Sequence, residues 1–330
     1  MTRECKSVRS AYGRTLVELG KENKNIVVLD ADLSCSTQTQ MFAKEFPERF
    51  FNVGISEQDL MTTAAGLACT GKIPFVSTFA MFASGRAWEQ IRNTICYSNL
   101  NVKIAATHGG VTVGEDGASH QALEDISLMR SIPNMTVIVP CDEKETEQAI
   151  KFAATHKGPV YIRIARTYLP DVVDASYNFN PYKAVIMQEG TDVTLITNGE
   201  TLVETLDCAK ILHEKGIKAE IINVPVVKPI DAETIISSAK KTNRVITIEN
   251  HSIIGGLGSA VCEVISENYP VKVSRIGTND EFGQSGTAKE LMAHYWLNSE
   301  KLTEKIIGLL KWYNLEMYIK NIKTIMHYKI

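Results

Sequence analysis

Apolar residues along the chain fall into short unbroken runs, separated by stretches with helical spacing. The first run, Ile26 to Leu29 in NIVVLDADL, reads as a buried strand whose carboxyl end carries Asp30 and Asp32. IPFVST, VKIAAT, MTVIVP and PVYIRIA repeat the pattern. A helix from Ser7 to Gly20 precedes them, with Ala11, Leu16, Val17 and Leu19 as its apolar stripe. Strands that alternate with helices pair in parallel and are covered on both faces. The expected fold class is therefore α/β, with two three-layer domains of mainly parallel sheet. In the second domain DVTLIT, KAEIIN, RVITIE and VKVSRI alternate with helices over 202–215 and 231–241, the latter starting around Pro229 to Asp231. Tyr168 to Met187, with Pro170 and Pro181 and no clear period, reads as a linker. The chain divides into residues 1–170, a linker at 171–190, residues 191–310 and a tail at 311–330. In the tail Leu315, Tyr318, Ile319, Ile322, Ile325 and Met326 recur at the spacing of a short amphipathic helix.

Length and composition narrow the class. A chain of 330 residues is long enough for about two domains. With 44% hydrophobic and 22% charged residues it should be a soluble globular protein with real cores. A net charge of -3 gives no reason to expect nucleic acid or an anionic membrane as partner. The seven cysteines are odd in number, scattered and never spaced as CxxC, so neither a disulfide framework nor a zinc site is indicated, and a reducing cytoplasm is the default. The N-terminal MTRECKSVRS has no apolar signal core, and no later stretch approaches the roughly 20 apolar residues of a membrane span.

The stretch from Phe51 to His120 is the richest in candidate chemistry. In FNVGISEQDL, Ser56 is placed to cap a helix whose first turn carries Glu57, and Ala64, Ala65, Gly66 and Ala68 allow close packing against a neighbour. A carboxyl there is either a solvated acid beside the helix dipole or a desolvated acid against an apolar wall. Phe79 and Phe82 flank a turn after a strand, where ordinary core is the default. A glycine-rich loop then gathers His108, Glu115, Asp116 and His120. Ligands of parallel sheets bind at the carboxyl ends of strands, which places Asp32, Phe79, His108 and Arg166 along one rim. IIGGLGSAVCEVI is only loosely like a dinucleotide loop and reads as a tight start to a helix, without a cofactor.

Taken together, the DADL of Asp30 to Leu33, ISEQ around Glu57, STFAMF around Phe79 and Phe82, GEDGASHQALED around Asp116 and His120, and IRIAR ending at Arg166 carry a resemblance. From about Ser7 to Leu310 the chain resembles the carboxyl-terminal half of a transketolase: a pyrimidine-binding domain followed by a small C-terminal domain, as in split transketolases made of two polypeptides. The resemblance implies thiamine diphosphate, whose thiazolium carbon must lose a proton to the cofactor's own amino group. Glu57 then matches the carboxyl on the remote pyrimidine nitrogen, its neutral form favoured by desolvation. Phe79 and Phe82 match aromatics lining the aminopyrimidine pocket. Gly85 stands where the family usually has a third, so the pocket edge should be looser or filled by Trp88. Asp32 matches a carboxylate near the thiazolium ring. Arg9, Ser36, His108 and Arg166 match positions that hold the sugar phosphate. Asp116 and His120 match residues that contact sugar hydroxyls, with His120 also able to shuttle protons.

The GDG motif through which transketolases hold magnesium and the cofactor diphosphate does not occur, and GEDG at Gly114 to Gly117 is no substitute. The resemblance therefore implies that Mg2+ (or Ca2+) and the diphosphate are bound through a partner, the N-terminal transketolase subunit. The expected assembly is a 2+2 heterotetramer around a two-fold axis, acting on sugar phosphates, with no nucleic acid and no membrane. Alternatives are the beta subunit of a 2-oxoacid dehydrogenase, which needs no set like Arg9, Ser36, His108 and Arg166, a deoxyxylulose phosphate synthase fragment, a split transketolase for an unusual sugar phosphate or sulfosugar, and a non-catalytic scaffolding subunit.

Overall fold

The computed structural model describes residues 4–174 and 176–327, with side chains as far as residue 313. Two parallel sheets organise them. The first has seven strands in the order Val226–Lys228, Thr136–Ile138, Val160–Ile164, Lys103–Thr107, Ile73–Phe79, Ile26–Asp30, Phe50–Asn52. Ile26–Asp30, Lys103–Thr107 and Val160–Ile164 are buried throughout, as central parallel strands covered on both faces must be. All pairs are parallel except that of Val226–Lys228 with Thr136–Ile138. A strand from the second half of the chain thus closes one edge of the first sheet.

Register decides where the functional side chains gather. Phe79 is level with Thr107, Thr107 with Ile164, and Asp30 with Ser77, so these carboxyl ends lie along one rim. The second sheet runs Val273–Thr278, Val245–Ser252, Val193–Thr197, Ala219–Asn223, Val185–Gln188, the last strand antiparallel. Its core is continuous with the apolar face of the helix Thr201–Glu214.

Several local expectations are revised. The stretch read as linker contains the strands Tyr168–Pro170, which pairs with Cys5–Ser7, and Val185–Gln188. Between them side chains take the place of a ladder: Asp142 accepts from the N–H groups of Val172 and Val173, and Gln148 from that of Phe179. Backbone held by such isolated acceptors has no period for a sequence to display. Ser56 does not cap the helix Glu57–Cys69 through its side chain; its N–H is drawn back to the carbonyl of Gly54, and Glu57 and Asp59 supply the first-turn acid instead.

The tail belongs to a single helix, Ser299–His327. Leu302, Ile306, Leu310 and Tyr313 are buried in the second core, while the side chains of Leu315, Tyr318, Ile319, Ile322, Ile325 and Met326 lie outside the described residues. At the GGLG stretch Glu249 accepts from the N–H groups of Leu257 (2.7 Å) and Gly258 (2.9 Å). The start of the helix Leu257–Asn268 is therefore taken by a carboxyl group of the chain itself, a helix start and not a phosphate cradle. Burial pushes the Glu249 carboxyl up to about 7.

The two halves are joined by a buried cation. Arg163 donates to Asp125 through Nε (3.0 Å) and to the carbonyls of Ala122 (3.2 Å) and Asn250 (2.9 Å) through Nη2. Gly109 makes room, since a Cβ there would meet Arg163 Nε at 2.2 Å. Tyr161 donates to the same Asp125 oxygen, so loss of the guanidinium would leave a buried carboxyl with one neutral donor. Arg163→Met should lower stability by about 3–5 kcal/mol, read as a fall in the denaturant midpoint.

Candidate functional site

The rim starts at Asp30, a residue without side-chain exposure. Its carboxyl accepts from the N–H of Leu33 (2.5 Å) and the hydroxyls of Thr37 (2.7 Å) and Thr39 (2.9 Å), which folds the turn after the strand into a fixed knot. Burial raises its carboxyl above the usual range, against these three donors. The knot presents the carbonyl of Ser36, which accepts from Arg9 Nη1 at 2.7 Å. Ser36 thus meets Arg9 through its backbone. Arg9 comes from the helix Val8–Glu22, capped by the Ser7 hydroxyl. Its Nε is buried with no hydrogen-bond partner among the described residues.

Arg166 follows the strand Val160–Ile164 and donates to the carbonyl of Val113 (2.5 Å) and to Glu115 (3.3 Å). Gly114, at φ +82, lets the loop approach, because a Cβ there would stand 3.1 Å from Arg166 Nη1. His108 is within reach of the charge of both guanidinium groups. It is buried, at φ 64, with Nδ1 2.8 Å from the Thr107 hydroxyl. Burial first, then the charges of Arg9 and Arg166 and the neighbouring His120, lower its imidazole to about 3. This histidine is therefore neutral wherever the protein is folded near neutral pH. A neutral ring under the charge of two permanent cations, one with a buried N–H that has no partner among the described residues, offers donors suited to an anion.

Beside it is an aromatic cluster. Phe79 stacks on His108 with ring centres 3.9 Å apart, and on Phe82 at 6.1 Å. His120 stands edge-on to both, 5.3 Å from Phe82 and 6.3 Å from Phe79. The stretch Phe82–Arg86 winds as a π-helix, whose wide turn places Phe82 and Arg86 on one side. The Arg86 guanidinium lies over the Phe82 ring, 4.6 Å from its centre, and Nη1 donates to Glu57 Oε2 at 2.8 Å. Glu57 is 1% exposed. Its carboxyl thus faces a guanidinium as well as an apolar wall.

Of the residues singled out from sequence, Arg9, Ser36, His108 and Arg166 form one group and Phe79, Phe82 and His120 another that shares His108. Glu57 joins the second group through Arg86. Asp32 is exposed, at φ 63, and accepts from Asn52 (3.0 Å) on the neighbouring strand. Asp116 is exposed at the end of the segment Val111–Asp116. Trp88 does not fill the pocket edge: its indole donates to the Leu128 carbonyl at 3.3 Å and its ring joins the core. Arg86 takes that edge instead, a residue whose signal was its position four after Phe82. Asp30 was legible only as a strand end. Among the described residues no three His, Cys, Asp or Glu side chains gather as a metal site, and no helix is long and apolar enough to cross a membrane.

A buried carboxyl, two phenyl rings and two guanidinium groups on the rim of a mainly parallel sheet, followed by a second α/β domain, make this a two-domain α/β protein whose rim gathers groups suited to a flat, anionic ligand. Residues 5–171 match the transketolase pyrimidine-binding domain, and residues 182–302 the transketolase C-terminal domain. The chain is 54% identical to a putative transketolase C-terminal section of Methanocaldococcus jannaschii, over 93% of this chain and 97% of that protein. It is 40% identical to one of the subunits of the apulose-4-phosphate transketolase of Phocaeicola vulgatus, over 92% and 97%. Among solved structures it superposes on an inactive beta4 tetramer of a split-gene transketolase with TM-score 0.86 and 52% identity, covering 93% of this chain and 99% of the other. The chain belongs to the transketolase family and corresponds to the C-terminal subunit of its split form.

His108 offers a direct check on the site. Its folded value lies below the unfolded 6.5, so its contribution to stability is intact above about 6.5 and is lost as pH falls from there toward about 3. In histidine-labelled protein its ring resonances should keep their neutral positions from about pH 8 to about pH 4.5, and a midpoint near 6.5 would contradict the burial and charge described here.

Proposed function

We propose that this chain is one half of a transketolase active site. Assembled with a separate subunit that holds Mg2+ and the cofactor diphosphate, it transfers a two-carbon ketol unit from a ketose phosphate to an aldose phosphate. The observation that carries this reading is a buried acid tied through Arg86 to a pair of stacked phenyl rings, and a histidine that stacks on one of those rings under the charge of two arginines. Members of the family depend on thiamine diphosphate. The donor set fits its pyrimidine end: Phe82 offers a flat apolar face and Glu57 a carboxyl at the level of that face, reached by the N–H of a group lying on the ring. When bound, the cofactor supplies a carbon nucleophile and an electron sink.

The roles of the chain's own residues follow. Glu57 holds a proton against the ring nitrogen, and Phe79 and Phe82 bury the ring's faces. Arg9 and Arg166 hold the phosphate by charge, His108 by its Nε2–H, and Ser36 by its hydroxyl. His120, edge-on to the phenyl rings, is placed to move a proton at a sugar hydroxyl. Asp116 and Asp32 are assigned to the sugar and to the thiazolium ring by resemblance alone, and both are exposed. The assignment of the diphosphate to a partner is supported by the relative that is itself one subunit of a transketolase. That one split-gene relative is an inactive tetramer of the beta chain supports both self-association and the need for a second subunit.

A second reading changes only the sugar. The apulose-4-phosphate relative is itself a subunit, and the match covers almost its whole length, which favours a branched or otherwise unusual sugar phosphate at the same pocket. The test is reconstitution with a diphosphate-binding subunit, thiamine diphosphate and Mg2+, offering xylulose 5-phosphate with ribose 5-phosphate, then apulose 4-phosphate. Formation of sedoheptulose 7-phosphate supports the first reading, and turnover of the branched sugar alone the second. Glu57→Gln should assemble normally and lose about a hundredfold to ten-thousandfold in rate. Near wild-type turnover by that variant would remove Glu57 from the proton path. Arg166→Met should raise the KM for phosphorylated substrates with much less effect on kcat, measured on the same assembly.

A further inference from the structure

The Glu57–Arg86 contact carries more than a local ion pair. We propose that the Arg86 guanidinium is an internal occupant of the pyrimidine subsite, lying where the cofactor ring would lie and leaving as that ring enters. This rests on the assignment of Glu57 and Phe82 to the pyrimidine ring. Both groups are engaged by one planar cation: Nη1 donates to Glu57 Oε2 at 2.8 Å, and the guanidinium carbon lies 4.6 Å from the centre of the Phe82 ring. A flat group with an N–H aimed at Glu57 and a face against a phenyl ring is also the description of an aminopyrimidine held in this pocket. The two cannot use the same face of Phe82 at once.

The surroundings explain why Arg86 is there and why it can go. Glu57 is 1% exposed, and a buried carboxyl without a hydrogen-bond partner is costly, so a donor from the chain itself is favoured beside it. The Arg86 side chain is 49% exposed, so it returns to water with little loss of burial. Gly85 leaves the wall open: a Cβ there would meet only Met81 Cε, at 3.7 Å. The guanidinium therefore has a clear path on and off the ring. Trp88, the other candidate for this edge, is turned into the core. Arg86 thereby sets cofactor affinity by competition, and protects Glu57 while the subunit awaits its partner.

A probe that carries only the contested part of the cofactor isolates the effect. Calorimetric titration of 4-amino-2,5-dimethylpyrimidine into the full chain requires neither diphosphate, metal nor partner. If Arg86 holds the subsite about nine-tenths of the time, its removal should tighten the probe's binding about tenfold. Arg86→Ala tests this, and Arg86→Met keeps the stem over Phe82 in case the shorter side chain perturbs folding. Glu57→Gln, combined with each, should abolish the gain. Equal or weaker Glu57-dependent binding by both Arg86 variants would overturn the competition and leave the function of the site standing. Absence of any Glu57-dependent binding, in every variant and in the assembled heteromer with thiamine diphosphate, would overturn both.

Discussion

The structure depends on one buried cation. Arg163 lies in the central strand Val160–Ile164 of the first sheet, and its guanidinium gathers the carboxyl of Asp125, the carbonyl of Ala122 and the carbonyl of Asn250. Each acceptor belongs to a different part of the machine: Asp125 starts the helix Asp125–Arg130, Ala122 ends the glycine-rich loop, and Asn250 lies in the second sheet. Asn250 continues the chain of contacts, accepting from the N–H of Val111 and donating to Glu200, which also takes the hydroxyls of Thr112 and Thr167. A loop with this much glycine has little stiffness of its own. It holds His108 and His120 in place because both its ends are fastened to a network removed from water, where each bond is stronger and each loss more costly.

The second constraint is electrostatic. Two arginines and a buried histidine within reach of one another's charge do not all stay charged cheaply. The conflict is resolved by the histidine giving up its charge, with burial as the larger cause. What remains is a fixed donor array with one unused buried N–H, on Arg9. An array already in position does not have to be assembled to bind an anion. The acid end of the site follows the same logic with the sign reversed. Glu57 is buried, and the chain provides its own cation for it.

The fold and much of the site were legible in the sequence because they rest on local period and strand order. Unbroken runs such as Ile26 to Leu29 could only be strands covered on both faces, and the alternation with helices made the sheets parallel. Parallel order then aligned Phe79, His108 and Arg166 on one rim. The linker was less legible, since Asp142 and Gln148 hold it through single side chains. Ser56 misled because its residue type is right for a cap while its backbone is tied to Gly54.

What the sequence by itself determined, then, is the central strands, their parallel pairing and the rim along which their carboxyl ends fall, since all three follow from patterns a few residues long. Tertiary structure alone decided that Arg86 rather than Trp88 faces Phe82, that Arg163 is the joint between the halves, and that Val226–Lys228 closes the first sheet. The contacts of Arg86 with Glu57 and of Arg163 with Asn250 join positions 29 and 87 residues apart, and the choice among such partners is made by which side chain the completed core has room to bury. Asp32 shows the same limit from the other side: its place after a strand was correct, but its partner, Asn52, comes from a neighbouring strand that only the folded sheet brings alongside.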